Sequence, residues 1–271
     1  MRDVEVPAFL YGTAWKEDDT ARLTRTALDA GFRGIDTANQ RRHYHEAGVG
    51  EALAAAGLRR ADVFLQTKFT YAAGQDHRLP YDPWAPVATQ VEQSFASSLG
   101  HLGVEYVDAY LLHGPSVRYG LAVDDWEAWA AMEALHAAGK ARLLGVSNVS
   151  VEQLAELWTR ASTKPAVVQN RCFAATGWDR AVRTFCRERG ILYEGFSLLT
   201  ANVEVVRHRR VHAIAARTGR TIAQVIFRFA IQAGMIALTG TTSAAHMAED
   251  LAALDFALEP DDVRAIEMLV A

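Results

Sequence analysis

Lysine is scarce in this chain of 271 residues: four of its 28 basic side chains, with arginine supplying the rest. A lysine kept in such a chain suggests chemistry that a guanidinium cannot perform, because an ammonium shifts its pKa and acts as a compact charge. The net charge of -4 is small, and the basic residues are scattered rather than striped, which argues against a nucleic-acid surface. Cysteine is limited to Cys172 and Cys186. They offer neither a disulfide framework nor a metal-ligand spacing, and suit two free thiols in a reducing cytoplasm. No run is apolar enough to span a membrane. The longest uncharged stretch, 230–248, holds a glutamine, two glycines and four hydroxyl residues, so it reads as a helix end, a strand and a turn. Met1-Arg2-Asp3-Val4-Glu5 carries charges where a signal peptide needs an apolar segment. Gly-x-Gly-x-x-Gly is missing too. Gly12-Thr13-Ala14-Trp15 follows the first strand-like run instead, which counts against a doubly wound dinucleotide fold.

What is present is alternation. Half the residues are hydrophobic, enough for a sizeable core. Short apolar runs centre on Phe9-Leu10-Tyr11, Gly34-Ile35-Asp36, Val63-Phe64-Leu65 and Ala109-Tyr110-Leu111. Four more follow at Leu143-Leu144-Gly145-Val146, Ala166-Val167-Val168-Gln169, Leu192 to Phe196 and Met235-Ile236-Ala237-Leu238. Their separation of roughly 20–40 residues is that of β-α units. Helix signals fill the gaps. Glu17-Asp18-Asp19 loads acids into a first turn before Leu23, Ala27 and Leu28, and Gly31 supplies a stop. Ser150 caps Val151 to Trp158, and Thr221 to Gln232 ends before Gly234. The expected fold is α/β, a (β/α)8 TIM barrel with extra C-terminal helices, as one domain over residues 1–271. The segment Phe69 to Pro86 is too long for a plain connection, and its Tyr71, Tyr81 and Trp84 suggest an ordered flap over the barrel mouth.

Working residues in such barrels sit at the C-terminal strand ends. Asp36, Lys68 and His113 fall there, on strands two, three and four. Neighbouring strands lie about 5 Å apart, so Asp36 pairs with Lys68 and offsets the cost of burying an ammonium. A purely structural salt bridge is the bland alternative. Tyr44 is the candidate proton donor, expected to open the helix after strand two. A phenol has a pKa of about 10, and an adjacent ammonium stabilises phenolate and lowers that value.

These residues resemble the aldo-keto reductases over nearly the whole chain. The resemblance is carried by Gly12-Thr13-Ala14-Trp15, Ile35-Asp36-Thr37-Ala38, Tyr44 with Val49-Gly50, Lys68, Leu111-Leu112-His113 and Gly145-Val146-Ser147-Asn148. It continues through Val168-Gln169-Asn170, Phe196-Ser197-Leu198-Leu199 and Gly240-Thr241-Thr242-Ser243 with Glu249-Asp250. It implies reduction of an aldehyde or ketone by hydride transfer from NADPH, with NADH as the alternative. Tyr44 would be the general acid, Lys68 would lower its pKa, Asp36 would anchor Lys68, and His113 would orient the substrate carbonyl. Ser147, Asn148 and Gln169 match the positions that hold the nicotinamide carboxamide. Gly12, Thr13, Ala14, Asp36, Phe196, Ser197, Leu199, Gly240, Thr241, Thr242, His246, Glu249 and Asp250 complete the implied cofactor site.

Four departures stand out. Arg41 occupies the usual tyrosine position five residues after the aspartate, and Tyr44 comes three later. Phe196 and Leu198 replace a tyrosine and a proline. Gly240 to Ser243 lacks the lysine, and His246 replaces the arginine, that many relatives use to grip the adenosine 2′-phosphate. The chain ends at Ala271, so the C-terminal tail that shapes specificity in relatives is nearly absent, predicting an open mouth. Trp15, Tyr71 and Trp84 are the candidate substrate walls, with Tyr119 and Trp126 as further aromatics. Two rivals are a Schiff-base aldolase using Lys68 and a nicotinamide-binding regulatory barrel without turnover.

Overall fold

The computed structural model describes residues 4–269; the N-terminal charges at 1–3 and the chain end at Ala271 lie outside the described residues. Eight parallel strands close into a barrel in sequence order. They are β1 Phe9–Gly12, β2 Gly34–Asp36, β3 Phe64–Phe69, β4 Val107–Leu112, β5 Ala141–Ser147, β6 Val167–Arg171, β7 Leu192–Phe196 and β8 Ile236–Thr239. Closure comes from β1 against β8, with Phe9, Leu10 and Tyr11 opposite Ala237, Leu238 and Thr239. Around it run α1 Thr20–Ala30, α2 Glu46–Ala56, α3 Val87–Leu102, α4 Val123–Ala137, α5 Val151–Arg160 and α6 Arg180–Arg189. Beyond β7 come α7 Val203–Val206, α8 Arg209–Thr218 and α9 Ile222–Gln232. After β8 come α10 Ala244–Leu251 and α11 Pro260–Glu267. All eight expected strands are present, and the surplus helices fall in the C-terminal part of the chain.

Strands buried on both faces read as continuous apolar runs, and the period of two decides which side each residue serves. Leu10, Phe64, Ala109, Leu111, Leu143, Val167, Ile236 and Leu238 form one cluster, the apolar plug inside the barrel. Their neighbours Phe9, Tyr11, Leu65, Tyr110, Leu144 and Val168 join the larger cluster against the helices. The helix ends follow local chemistry. Ser150 Oγ accepts from Gln153 N at 3.2 Å while Gln153 Oε1 accepts from Ser150 N at 3.1 Å, closing a capping box at α5. The acidic run Glu17–Asp19 is a 3-10 turn ahead of α1 rather than its first α-turn. Glu17 has φ 48°, a left-handed backbone that an α-helix does not accept. Gly50 lets α2 reach the end of α3, since a Cβ there would lie 2.1 Å from the His101 carbonyl oxygen.

The long 69–86 connection is ordered and turned inward at two of its aromatics. Tyr81 is buried and donates its hydroxyl to Thr70 O at 2.7 Å. Tyr71 donates to Asp125 Oδ1 at 2.9 Å, and both rings pack on Phe69. Every non-glycine residue of positive φ among the described residues lies in a loop after a strand: Trp15 and Glu17 after β1, Asn148 after β5, Trp178 and Asp179 after β6, Ser197 after β7. Strained backbone of this kind collects where the surrounding structure holds a side chain in an unusual direction.

Candidate active site

Asp36 is the last residue of β2, Lys68 the penultimate residue of β3, and His113 follows the end of β4. Lys68 is fully buried, and its Nζ donates to Asp36 Oδ1 at 2.6 Å and to Thr37 O at 2.9 Å. Its third N–H meets no acceptor among the described residues. The Tyr44 ring stands over that ammonium, its centroid 5.4 Å from Nζ. Tyr44 and His113 face each other edge to face at 6.0 Å. The four residues therefore meet at the C-terminal end of the barrel, the three-residue displacement of the tyrosine notwithstanding. Tyr44 does not open α2, as expected, but sits in the preceding turn, with His45 as the cap of that helix. The turn is pinned by Tyr44 N to Gln40 O at 3.0 Å and Trp15 N to His43 O at 2.7 Å.

Charge in this site is set by burial first. Burial would lower the Lys68 pKa, but the charges of Asp36, Tyr44 and Glu194 hold it above its ordinary value. For Tyr44 the expected lowering is reversed. Burial, the largest influence, raises its pKa, Lys68 opposes, and Asp36 adds to the rise. The phenol therefore stays loaded with its proton, and the ammonium's part is to moderate the cost of losing it. His113 is pushed down to about 3 by burial and by the nearby charges of Lys68 and His43, so it is neutral at ordinary pH. Thr70 Oγ1 lies 2.6 Å from His113 Nδ1. That contact fixes the ring's orientation, leaving Nε2 as its other polar atom.

Beneath the quartet lies a polar layer that the sequence did not point to. Gln66 Nε2 donates to Asp36 Oδ1 at 2.8 Å and to Glu194 Oε2 at 2.7 Å. Gln169 Nε2 does the same at 2.9 and 2.8 Å. Two amides thus bridge two carboxylates across the barrel, from β2 and β3 to β6 and β7. Glu194 is fully buried, its Oε1 has no partner among the described residues, and its pKa rises to about 7 through burial and the charge of Asp36. The only hint in the sequence was an acid between Leu192 and Phe196, at an inward position of an otherwise apolar strand. Thr70 was also missed.

Among the expected cofactor residues, Gln169 spends its N–H groups inside the barrel, and its Oε1 accepts no hydrogen bond among the described residues. Asn148, at φ 51°, donates to His113 O at 2.8 Å and Ser147 Oγ at 3.1 Å, and Ser147 donates to Gln169 O at 2.6 Å. Asn148 Oδ1 accepts no hydrogen bond among the described residues. Two carbonyl oxygens without donors, Gln169 Oε1 and Asn148 Oδ1, suit the amide group of a carboxamide, so these residues fit a nicotinamide. Gly12 and Thr13 lie at the end of β1, where Thr13 N donates to Asp36 O at 3.0 Å. Phe196, Ser197 and Leu199 lie at or just beyond the end of β7, with Ser197 at φ 58°. Gly240, Thr242, His246 and Glu249 are exposed around the start of α10. Asp250 is not available there: it is buried, accepts from Thr239 Oγ1 at 2.7 Å, and is raised to about 6 mainly by burial. Its carboxylate ties β8 to α10.

The aromatic candidates divide. Trp15 is exposed and stacks on His43, centroids 3.9 Å apart, one residue from Tyr44. Tyr71 is engaged by Asp125 and Phe69, Tyr119 is exposed beside Arg118, and Trp126 lies under Arg160. Trp84 is 92% exposed, and no ring contact among the described residues brings it to the quartet.

The sequence matches the family model described as Aldo/keto reductase family over residues 9–271. The chain belongs to the aldo/keto reductase family. It is 31% identical to the oxidoreductase YtbE of Bacillus subtilis over 273 residues, covering 98% of this chain and 90% of that one. It is 29% identical to the 9,11-endoperoxide prostaglandin H2 reductase of Trypanosoma cruzi, covering 98% and 88%. Among solved structures, an aldo/keto reductase from Brucella melitensis superposes with a TM-score of 0.83 at 29% identity, covering 97% and 94%. Aldo/keto reductases are oxidoreductases that act on small carbonyl compounds and generally use NAD(P)H. No helix among the described residues is long and apolar enough to cross a membrane, and none of their His, Cys, Asp and Glu side chains cluster as a metal site.

Proposed function

We propose that this aldo/keto reductase reduces a small aldehyde or ketone to an alcohol with NADPH, NADH being the second choice, and that Tyr44 is its general acid. The observation that carries this is the buried Lys68–Asp36 pair at 2.6 Å lying under the Tyr44 ring. When bound, the reduced nicotinamide supplies the hydride that reaches the carbonyl carbon. The protein's residues do the rest. Tyr44 gives its proton to the carbonyl oxygen as negative charge develops there. Lys68, held by Asp36 and Thr37 O, stabilises the phenolate left behind. Neutral His113, steered by Thr70, donates a hydrogen bond to the same oxygen and fixes its distance from Tyr44. Asn148, Gln169 and Ser147 would hold the carboxamide, and Phe196 would offer its ring face to the nicotinamide. Trp15, stacked on His43 next to Tyr44, is the wall residue proposed for the substrate, and suits one with an apolar part. The unit 1–271 would act as one barrel domain in the cytoplasm, with no nucleic-acid or membrane partner.

The aldolase reading fares badly on the same geometry. A Schiff-base lysine must be an accessible neutral amine, whereas Lys68 is sealed and held in its charged form. A regulatory barrel without turnover is separated by rate. Stopped-flow titration with NADPH and NADH, then a panel of aldehydes and ketones, measures binding and reduction together. Carbonyl-dependent oxidation of the cofactor that disappears in Tyr44→Phe is the expected result. Binding without turnover, or full activity in that variant, overturns the assignment.

A further inference from the structure

The polar layer under the quartet contains an acid that the proposed reaction does not use. The period of two that sends Phe64 into the barrel sends Gln66 and Lys68 there as well, and Glu194 follows Leu192 on the inward side of β7. Asp36 Oδ1 accepts from Lys68 Nζ at 2.6 Å, Gln66 Nε2 at 2.8 Å and Gln169 Nε2 at 2.9 Å. Glu194 Oε2 accepts from the same two amides at 2.7 and 2.8 Å. The amides that steady the Asp36 carboxylate are thus shared with Glu194.

The rest of the layer says where a proton sits. Glu194 Oε1 and Gln66 Oε1 are both buried and have no hydrogen-bond partner among the described residues. Buried acceptors without a donor are costly, and a proton on Glu194 Oε1 supplies a donor that the layer lacks. Burial and the charge of Asp36 favour the same protonated form and bring its pKa to about 7.

Asp36 from β2 and Lys68 from β3 are the charges that bear on Glu194, and β6 contributes the amide of Gln169. From β1, β4, β5 and β8 the barrel interior presents Leu10, Leu111, Leu143 and Ile236, which do not ionise. Lys68 and Tyr44 are shifted up from values that are already alkaline, and His113 is pushed down to about 3. His43, whose charge reaches His113, is lowered from the ordinary imidazole value by burial and Arg42. Glu194 is therefore the buried acid of this layer that changes charge near neutrality.

That change reaches the phenol by two routes. An ionised Glu194 draws the shared amides more strongly than a neutral one. Its charge also bears on Lys68, the group that opposes the rise in the Tyr44 pKa. With Glu194 neutral, the charges of Lys68 and Asp36 cancel beneath the phenol. With Glu194 ionised their sum with it is negative, and a phenolate there is harder to form.

We infer that Glu194 is a positioning residue of this reductase, holding Asp36 and thereby Lys68 through Gln66 and Gln169, and that loss of its proton slows carbonyl reduction. The inference rests on Tyr44 as the general acid proposed above.

The test has one readout that needs turnover and one that does not. The first is the single-turnover rate of carbonyl reduction with NADPH from about pH 6.5 to about pH 9, for wild type and Glu194→Gln. The wild-type rate should fall roughly threefold to tenfold across neutrality. The variant keeps an acceptor for both amides and should hold its low-pH rate throughout. The second readout is fluorine NMR of the full chain labelled with fluorotyrosine, the Tyr44 signal being the one that disappears in Tyr44→Phe. That signal should shift with an inflexion at about pH 7 in wild type and show none in Glu194→Gln. Gln66→Met, which removes an amide that favours the carboxylate, should move both inflexions to higher pH; a merely structural role for Glu194 moves neither.

Identical pH profiles in wild type and in a Glu194→Gln protein with wild-type circular dichroism overturn the inference, as does a Tyr44 signal blind to Glu194. If Glu194→Gln does not fold, Gln66→Met decides, and an unmoved inflexion overturns the inference. A wild type that reduces no carbonyl, but whose Tyr44 signal loses its inflexion in Glu194→Gln, removes the proposed function and leaves the coupling of Glu194 to Tyr44 standing.

Discussion

Replacing Glu194 with glutamine should make the protein more stable at alkaline pH than at acid pH, relative to wild type. In the fold Glu194 is fully buried, shares both bridging amides with Asp36 and loses its proton near pH 7 rather than at the ordinary 4.5. Between those values the unfolded chain releases this proton and the folded chain retains it, so folding stability falls as pH rises through the window. The gap of about 2.5 pKa steps at about 1.4 kcal/mol each corresponds to about 3 kcal/mol, lost in full above pH 7. Glutamine supplies the same acceptor to Gln66 and Gln169 and has no charge to bury. Whatever it costs to turn an amide N–H towards the unpartnered Oε1 position is independent of pH. Urea midpoints of both proteins at about pH 4.5 and about pH 8.5 isolate the difference. With a slope of about 3 kcal/mol per M, the gap between their midpoints should move by about 1 M in favour of Glu194→Gln. A gap that stays constant with pH would mean that Glu194 ionises in the fold as easily as in water, and would refute the picture of a carboxyl kept protonated by burial and by the charge of Asp36.

Tyr44→Phe should lower kcat for carbonyl reduction by about 10²-fold or more while leaving dinucleotide affinity within a factor of about two, read by steady-state rates and fluorescence titration. Lys68→Met should lose activity and also about 3–5 kcal/mol of stability, because Asp36 is left buried without its cation. Adding Asp36→Asn should restore much of the urea midpoint and none of the rate. His113 should show no titration between about pH 5 and pH 9 in histidine NMR spectra, since its depressed pKa keeps it neutral there. An imidazolium signal near pH 6 would contradict the site electrostatics. Gly50→Ala should lower the urea midpoint by about 1–3 kcal/mol in free energy, because the added methyl meets the His101 carbonyl where α2 touches α3.

Much of the fold was legible because its signals are local. Eight apolar runs gave eight strands, and Ser150 with Gln153 and Gly31 marked helix ends through contacts a few residues apart. The ends of β2, β3 and β4 could be read for Asp36, Lys68 and His113 because a polar residue that closes an apolar run stands out in the sequence. Tyr44 was legible as a residue and not as a position, since a loop between two elements has no period to place it. Gln169 shows the limit from the other side. Its identity suggested a carboxamide partner, yet its donors are spent on Asp36, 133 residues away, and on Glu194.

Sequence alone determined that this chain closes a parallel barrel, and that an acid, a lysine and an imidazole stand at successive strand ends with a tyrosine close by. Alternation and capping are enough for that, because they depend on neighbours along the chain. Only the tertiary structure decided the charges. Barrel closure removes water from Asp36, Lys68 and Glu194 together, so burial, which no local pattern encodes, raises the Tyr44 pKa instead of letting Lys68 lower it. The same closure carries Lys16 to Gly240. The scarce lysines thus divide in space: one sealed at the centre beneath the phenol, and one nearly buried after β1, bound to the carbonyl oxygen of Gly240.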